Sequence, residues 1–179
     1  DSKTHLDFDL DLAKQQSSDN PVYYVQYAHA RLASLFRVAH ERQVSLPAVQ
    51  DVDHTLLVHN EELGLIKTLA QYPLVVEGSA IALEPHRVTF YLQELAAQTH
   101  AYYNKNRVLP SVESNGKSGD TRHRGESASN GKALELGLEP TYEYIPPALT
   151  AARLALLRQV QTVIGNGLTL LGISSPEKM

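Results

Sequence analysis

Apolar residues recur at spacings of three and four along several long stretches of this chain, and no stretch alternates convincingly enough to make a strand. That periodicity is the footprint of helices that each bury one stripe. Residues 23–42 show it clearly, with Val25, Ala28, Leu32, Leu35, Phe36 and Ala39 on one side. Asp19 or Asn20 can cap the first turn, where Pro21 is tolerated. A second helix is expected from about Asp53 to Gln71. Asp53 would be its N-cap, and Leu56, Leu57, Leu63, Ile66 and Leu69 its core positions. Gly64 weakens it somewhat. A short third helix would cover Pro73 to Leu83. A fourth begins near Pro85 and carries Val88, Tyr91, Leu92, Leu95 and Ala96 on towards Tyr102. The last follows Pro146-Pro147 with a broad apolar surface from Leu149 to Ile164. Gly165 and Gly167 are expected to interrupt it, and Gly172 to stop it. The expected fold class is all-α, a helical bundle.

Two segments fall outside this pattern. Residues 111–132 hold four Gly and five Ser, with only Val112 and Ala128 apolar. Such a stretch cannot bury enough surface to offset its ordering entropy and reads as a flexible polar loop. Its Lys117, Arg122, Arg124 and Lys132 could make weak phosphate contacts, but a solvated insertion explains them better. In the first twenty residues Phe8, Leu10 and Leu12 alternate with Asp7, Asp9 and Asp11, as a short strand or an irregular connector would.

Composition narrows the classes. Apolar residues make up 42% and charged residues 20%, which describes a globular chain. No run of roughly 18 apolar residues exists to span a membrane. The absence of cysteine removes disulfide and thiolate chemistry and fits a cytoplasmic setting. A first residue of Asp rather than Met suggests a piece of a longer protein. The net charge of −4 argues against indiscriminate nucleic-acid binding. Local excesses of base, with Arg31, Arg37 and Arg42 in one helix and Arg153, Arg158 and Lys178 in the last stretch, could still meet a phosphate backbone.

On a helical wheel Tyr24, Tyr27 and Arg31 line one border of the apolar stripe, because residues three and four apart are surface neighbours. Two phenol rings and a guanidinium suit the unstacked bases of a single-stranded loop. They also suit a helix–helix border that buries rings and exposes hydroxyls. His29 falls on the opposite side of the stripe and reads as a packed, hydrogen-bonded core histidine.

No catalytic or metal constellation stands out. His54 and His59 are five apart and do not share a helical face as ligands would. Asp7, Asp9 and Asp11 lack the glycine and distal glutamate of a calcium loop. There is no phosphate-binding glycine loop and no nucleophile elbow.

Four blocks carry a family resemblance. They are Leu6-Asp7-Phe8-Asp9-Leu10-Asp11-Leu12-Ala13, then Asp19 to Arg31, then Ala82-Leu83-Glu84-Pro85-His86-Arg87 with Tyr91-Leu92 and Tyr103 to Leu109. The fourth is Asn166-Gly167-Leu168 with Leu171-Gly172-Ile173 and the terminal Pro176-Glu177-Lys178-Met179. Over nearly its whole length the chain resembles the C-terminal, DALR-type anticodon-binding domain of bacterial arginyl-tRNA synthetases. The helix-opening run and the Glu-Lys-Met end favour that family over the cysteinyl or glycyl relatives. A helical protein-interaction module is the alternative from a different class.

The resemblance implies an all-α anticodon-binding bundle over 21–179, preceded by a connector over 1–20 from a catalytic domain absent here. It implies a parent enzyme that joins arginine to its tRNA with ATP and magnesium, in the cytoplasm. The HIGH-like and KMSKS-like motifs of that chemistry do not occur, so no catalytic residue, metal site or cofactor is expected in this piece. The partners implied are the anticodon loop of the tRNA for arginine and the catalytic domain. The residues implied for the anticodon are Ser17, Ser18, Asp19 and Asn20 before the helix, Tyr24, Gln26, Tyr27 and Arg31 within it, and Met179 in the tail. An ending at methionine matches the family's natural end. The segment between Leu109 and Pro146 departs from the family by being longer and more polar.

Overall fold

A computed structural model of the chain describes residues 10–17, 19–110 and 145–179. Among the described residues there is one short helix, α1 (Leu10–Lys14), and four long ones: α2 (Pro21–Glu41), α3 (Asn60–Ala82), α4 (His86–Lys105) and α5 (Pro147–Leu170). Two 3₁₀ turns, Val49–Asp51 and His54–Leu56, lie between α2 and α3, and the described residues contain no strand. The all-α bundle anticipated from apolar spacing is the fold observed. The polar stretch 111–132, and residues 1–9 and 18 of the 1–20 connector, lie outside the described residues.

The helices share one core. α3 and α4 pack as a hairpin, while α2 packs chiefly on α4 and α5. Leu32, Leu65, Leu92, Leu95, Leu154 and Leu157 are fully buried and come from all four long helices. α5 is the most enclosed, with residues 152–157 buried without a break. A helix apolar nearly all round belongs inside a bundle.

Local signals explain the ends. The Asn20 Oδ1 accepts hydrogen bonds from the backbone N–H of Val22 (3.1 Å) and Tyr23 (3.4 Å), capping α2 ahead of Pro21. α5 closes in a Schellman motif: Ile173 N–H donates to the Leu168 carbonyl at 2.8 Å and Gly172 N–H to that of Thr169 at 3.0 Å. Gly172 sits at φ +71°, the left-handed conformation that needs no Cβ.

The structure corrects several expectations. Asp53 caps only the 3₁₀ turn, accepting from Thr55 N–H at 3.0 Å and Thr55 Oγ1 at 2.6 Å. α3 starts later, at Asn60, where Glu62 Oε2 accepts from the His59 backbone N–H at 3.0 Å. It then runs straight through Pro73, which is exposed. Leu69, Tyr72 and Val75 keep one face on the core across that point, so packing compensates for the missing N–H. Leu63 and Ile66, expected in the core, point outward. Gly165 and Gly167 do not interrupt α5. Gly167 instead admits Leu92, whose Cδ2 would lie 2.6 Å from an added Cβ. Residues Leu10–Lys14 are helical rather than extended, since among the described residues no strand exists to pair with them.

Candidate nucleic-acid interface

The N-terminal half of α2 gathers three elements. Ahead of it, residues 15–17 and 19–20 fold back on the helix start. The Asn20 Nδ2 donates to the Gln15 carbonyl at 2.9 Å, the Asn20 N–H to the Ser17 carbonyl at 3.1 Å, and the Asp19 N–H to Ser17 Oγ at 3.3 Å. Ser17 and Asn20 therefore shape this bend, and Asn20 is buried as the cap. Asp19 is exposed, and Ser18 lies outside the described residues.

The α4-facing border is aromatic. Tyr24 and Tyr27 both meet the imidazole of His100, at centroid distances of 4.9 Å and 5.5 Å, with the Tyr27 ring inclined at only 27°. Tyr24 is half-buried against the core, whereas Tyr27 is 45% exposed and offers its outer face to solvent. Arg31 extends the stripe. Its guanidinium carbon lies 4.3 Å from the centre of the Tyr103 ring, and its terminal nitrogens reach Asn104 Oδ1 at 3.1 Å and His100 Nδ1 at 3.4 Å. Arginine can only donate, so Nδ1 accepts. These partners are neutral, so the arginine's charge is held in place without being cancelled by them.

His100 is buried where a cation would be costly. Burial first, and the adjacent Arg31 second, hold its pKa below the ordinary histidine value, with the Tyr24 backbone opposing the shift. The neutral imidazole backs the inner side of the Tyr27 ring, leaving the exposed outer face of Tyr27 as the surface capable of stacking.

The opposite border of α2 holds the chain's end. Gln26 Nε2 donates to the Ser174 carbonyl at 2.9 Å and to Ser174 Oγ at 3.3 Å. His29 Nδ1 lies 3.0 Å from the Pro176 carbonyl, and since a carbonyl only accepts, Nδ1 carries the proton. His29 is thus a half-buried anchor for the tail rather than a core residue. Beyond this anchor Met179 is 51% exposed.

The structure therefore joins Tyr24, Tyr27 and Arg31 on one border and ties Gln26 to the tail on the other. It also brings in His100, Tyr103, Asn104 and Ser174, which the sequence did not single out. Their spacing of three and four along α4 was the available signal for the first three.

Elsewhere several arginines are engaged within the chain. Arg153 is buried and donates from Nε to Glu62 Oε1 at 2.7 Å and from a terminal nitrogen to the Arg107 carbonyl at 2.6 Å. Arg158 lies over the Phe36 ring at 3.6 Å, and Arg42 donates to the Pro110 carbonyl at 3.3 Å. Of the basic last stretch, Arg153 is therefore closed to a phosphate, while Arg158 and Lys178 stay exposed. Among the described residues no group of three His, Cys, Asp or Glu side chains could hold a metal. No described helix is long and apolar enough to cross a membrane.

Comparison with known proteins identifies the fold and the family. The family model of the DALR anticodon binding domain matches residues 25–122 and 146–179. An arginine–tRNA ligase of Geotalea uraniireducens is 49% identical over 176 residues, covering 98% of this chain and 25% of the relative. That of Geobacter metallireducens is 46% identical over 176 residues, with the same coverage of 98% and 25%. The chain thus spans about a quarter of the length of these relatives, within their C-terminal region. The solved arginyl-tRNA synthetase of Thermus thermophilus superposes with a TM-score of 0.66 at 28% identity, covering 99% of this chain and 24% of that one. With a bundle of this shape and a family model matched over most of its length, the chain belongs to the DALR anticodon-binding domain family.

Proposed function

We propose that this chain is the anticodon-reading part of an arginine–tRNA ligase. The observation that carries the proposal is the convergence on the start of α2 of a preceding bend, an aromatic–guanidinium stripe and an anchored C-terminal tail. In this reading an anticodon base stacks on the exposed face of Tyr27, Arg31 meets a phosphate or base edge, and the Met179 thioether packs against a neighbouring base. Tyr24 supports the platform from below. Ser17 and Asp19 present backbone and side-chain polar groups from the bend, Asn20 fixes its shape, and Ser18 joins them in this reading through the family resemblance. Gln26 acts by holding the tail rather than by touching RNA.

The remaining three quarters of the parent supply the chemistry. ATP with magnesium would be used there, to activate arginine, and the reaction would run in the cytoplasm. This piece contributes positioning: it holds the tRNA by its anticodon so that the acceptor end reaches the catalytic part. Its own specificity comes from stacking and base-edge contacts, because an overall acidic chain offers little unselective attraction.

Tyr27→Ala is the discriminating variant, because this ring is the more exposed of the pair. Loss of one stacked base costs about 1–3 kcal/mol, roughly 5- to 150-fold in affinity for cognate tRNA. Circular dichroism should show the helices intact. Unchanged affinity in a folded Tyr27→Ala protein would refute the stacking role. Tyr24→Ala will also weaken binding, but its ring packs on the core and some stability will be lost with it.

A further inference from the structure

α3 carries a second apolar face that the bundle does not use. Its inward side is formed by Leu65, Thr68, Leu69, Tyr72, Val75 and Ser79. On the opposite side Leu63, Ile66, Ala70, Leu74 and Ile81 fall within one narrow stripe and are all exposed, Leu74 at 68% and Ile81 at 78%. At 1.5 Å per residue the stripe runs for about 27 Å. A helix that only closed a bundle would carry charged residues there. Glu77 is the one charge that falls within the stripe, between Ile66 and Ala70, and Lys67, of opposite sign, stands at its border.

The stripe is a ridge with a groove on each flank. Towards α4 a groove of about 300 Å³ is lined by Leu74, Val75, Gly78 and Arg87. Towards α5 another of about 600 Å³ is lined by Tyr72, Pro73, Val76 and Leu170. A ridge between two mostly apolar grooves is shaped to receive a folded protein surface, and its near-neutrality gives a phosphate backbone nothing to grip.

We infer that the outward face of α3 seats the part of the full-length polypeptide that precedes this unit. The inference rests on the reading of the chain as the C-terminal part of a longer ligase. The occupant follows from length. Relatives of this chain are about four times as long, so most of the parent lies outside the unit and must be held in fixed relation to it. An apolar face left open in the unit, and opposite to its own core, is where such a body would gain the most buried area. Docking there would fix the anticodon platform at a set distance from the catalytic part, which a connector alone cannot do.

Hydroxyl-radical footprinting without tRNA tests this directly, because oxidation reports solvent access at Leu and Ile side chains. Leu63, Ile66, Leu74 and Ile81 should label several-fold less in the full-length protein than in the 179-residue unit, at every protein concentration. The fully buried Leu95 should stay unlabelled in both and thereby report that the unit keeps its fold. Equal labelling of the stripe in the two proteins would overturn the inference. Protection in the unit that grows with its concentration would assign the face to a second copy, and protection appearing only when tRNA is added would assign it to RNA. Either result would overturn it as well. None of these outcomes depends on whether the platform on α2 discriminates anticodons.

Discussion

Replacing Arg153 by methionine should cost this domain a large share of its stability. Arg153 and Glu62 form an ion pair at 2.7 Å whose side chains are 6% and 0% exposed. Glu62 Oε1 also accepts from the Tyr102 hydroxyl at 3.3 Å, and its Oε2 from the His59 N–H at 3.0 Å. The cluster thus ties α3, α4, α5 and the segment at Arg107 at one end of the bundle. Methionine fills much of the same space but leaves the carboxylate buried without a cation and the Arg107 carbonyl without its donor. Breaking a buried pair in this way costs about 3–5 kcal/mol. Domains are typically stable by about 5–15 kcal/mol, so the variant loses roughly a fifth of that or more. For a chain of this size that lowers the melting temperature by roughly 6–20 °C. Urea unfolding followed by circular dichroism reads the loss directly, with an unchanged denaturant slope showing that both states kept their compactness. The double variant Glu62→Leu with Arg153→Met removes both charges and should be no less stable than Arg153→Met alone. A single-variant loss below about 1 kcal/mol would refute the reasoning, since it would mean the pair is worth no more than a surface one.

Three further outcomes are expected. Because His100 has its pKa lowered in the fold, the unfolded chain binds more protons below 6.5, so the His100 contribution is present at neutral pH and is lost as pH falls through that value. Urea stability measured between about pH 7 and 5 should therefore slope downward, and His100→Gln should flatten the slope; an unchanged slope would show that His100 is not the group responsible. Gly167→Ala should destabilise by about 1 kcal/mol net, since its Cβ collides with the buried Leu92. Gly64→Ala, with nothing within 4 Å of its Cβ, should stabilise by about 0.5–1 kcal/mol, and a shared sign for the two would contradict the packing assigned to Gly167. Gln26→Ala with His29→Ala should free the tail, seen as faster amide exchange at Ser174, Ser175 and Glu177, and weaken tRNA binding with little change in melting temperature; a tail that stays protected would show other contacts holding it.

The long helices were legible because their signals are local. Asn20 before Pro21 marks the start of α2, and Gly172 marks the end of α5. α3 was misread where a local signal was real but served something shorter. Asp53 does cap, yet what it caps is a single 3₁₀ turn. Pro73 carries a strong breaking signal, overridden by a core face that continues on both sides of it. Leu63 and Ile66 look like core residues in any apolar tally, and only packing shows that α3 is apolar on two faces. At the candidate site the α2 stripe of Tyr24, Tyr27 and Arg31 could be drawn on a wheel. Its completion by His100, Tyr103 and Asn104 could not, because pairing α2 with α4 is a tertiary fact. The tail's attachment to Gln26 and His29 spans nearly 150 residues of chain and leaves no local mark.

The measurement closest to the central claim is a titration of this chain, at low salt, with the tRNA for arginine and with the same tRNA carrying an exchanged anticodon. Phosphate contacts are common to both, so any preference comes from the bases. Tighter binding of the cognate tRNA by roughly tenfold or more is expected, reduced in Tyr27→Ala, as one lost stacking or base-edge contact is worth about 1–3 kcal/mol. Equal affinity for the two tRNAs would contradict anticodon reading by this domain.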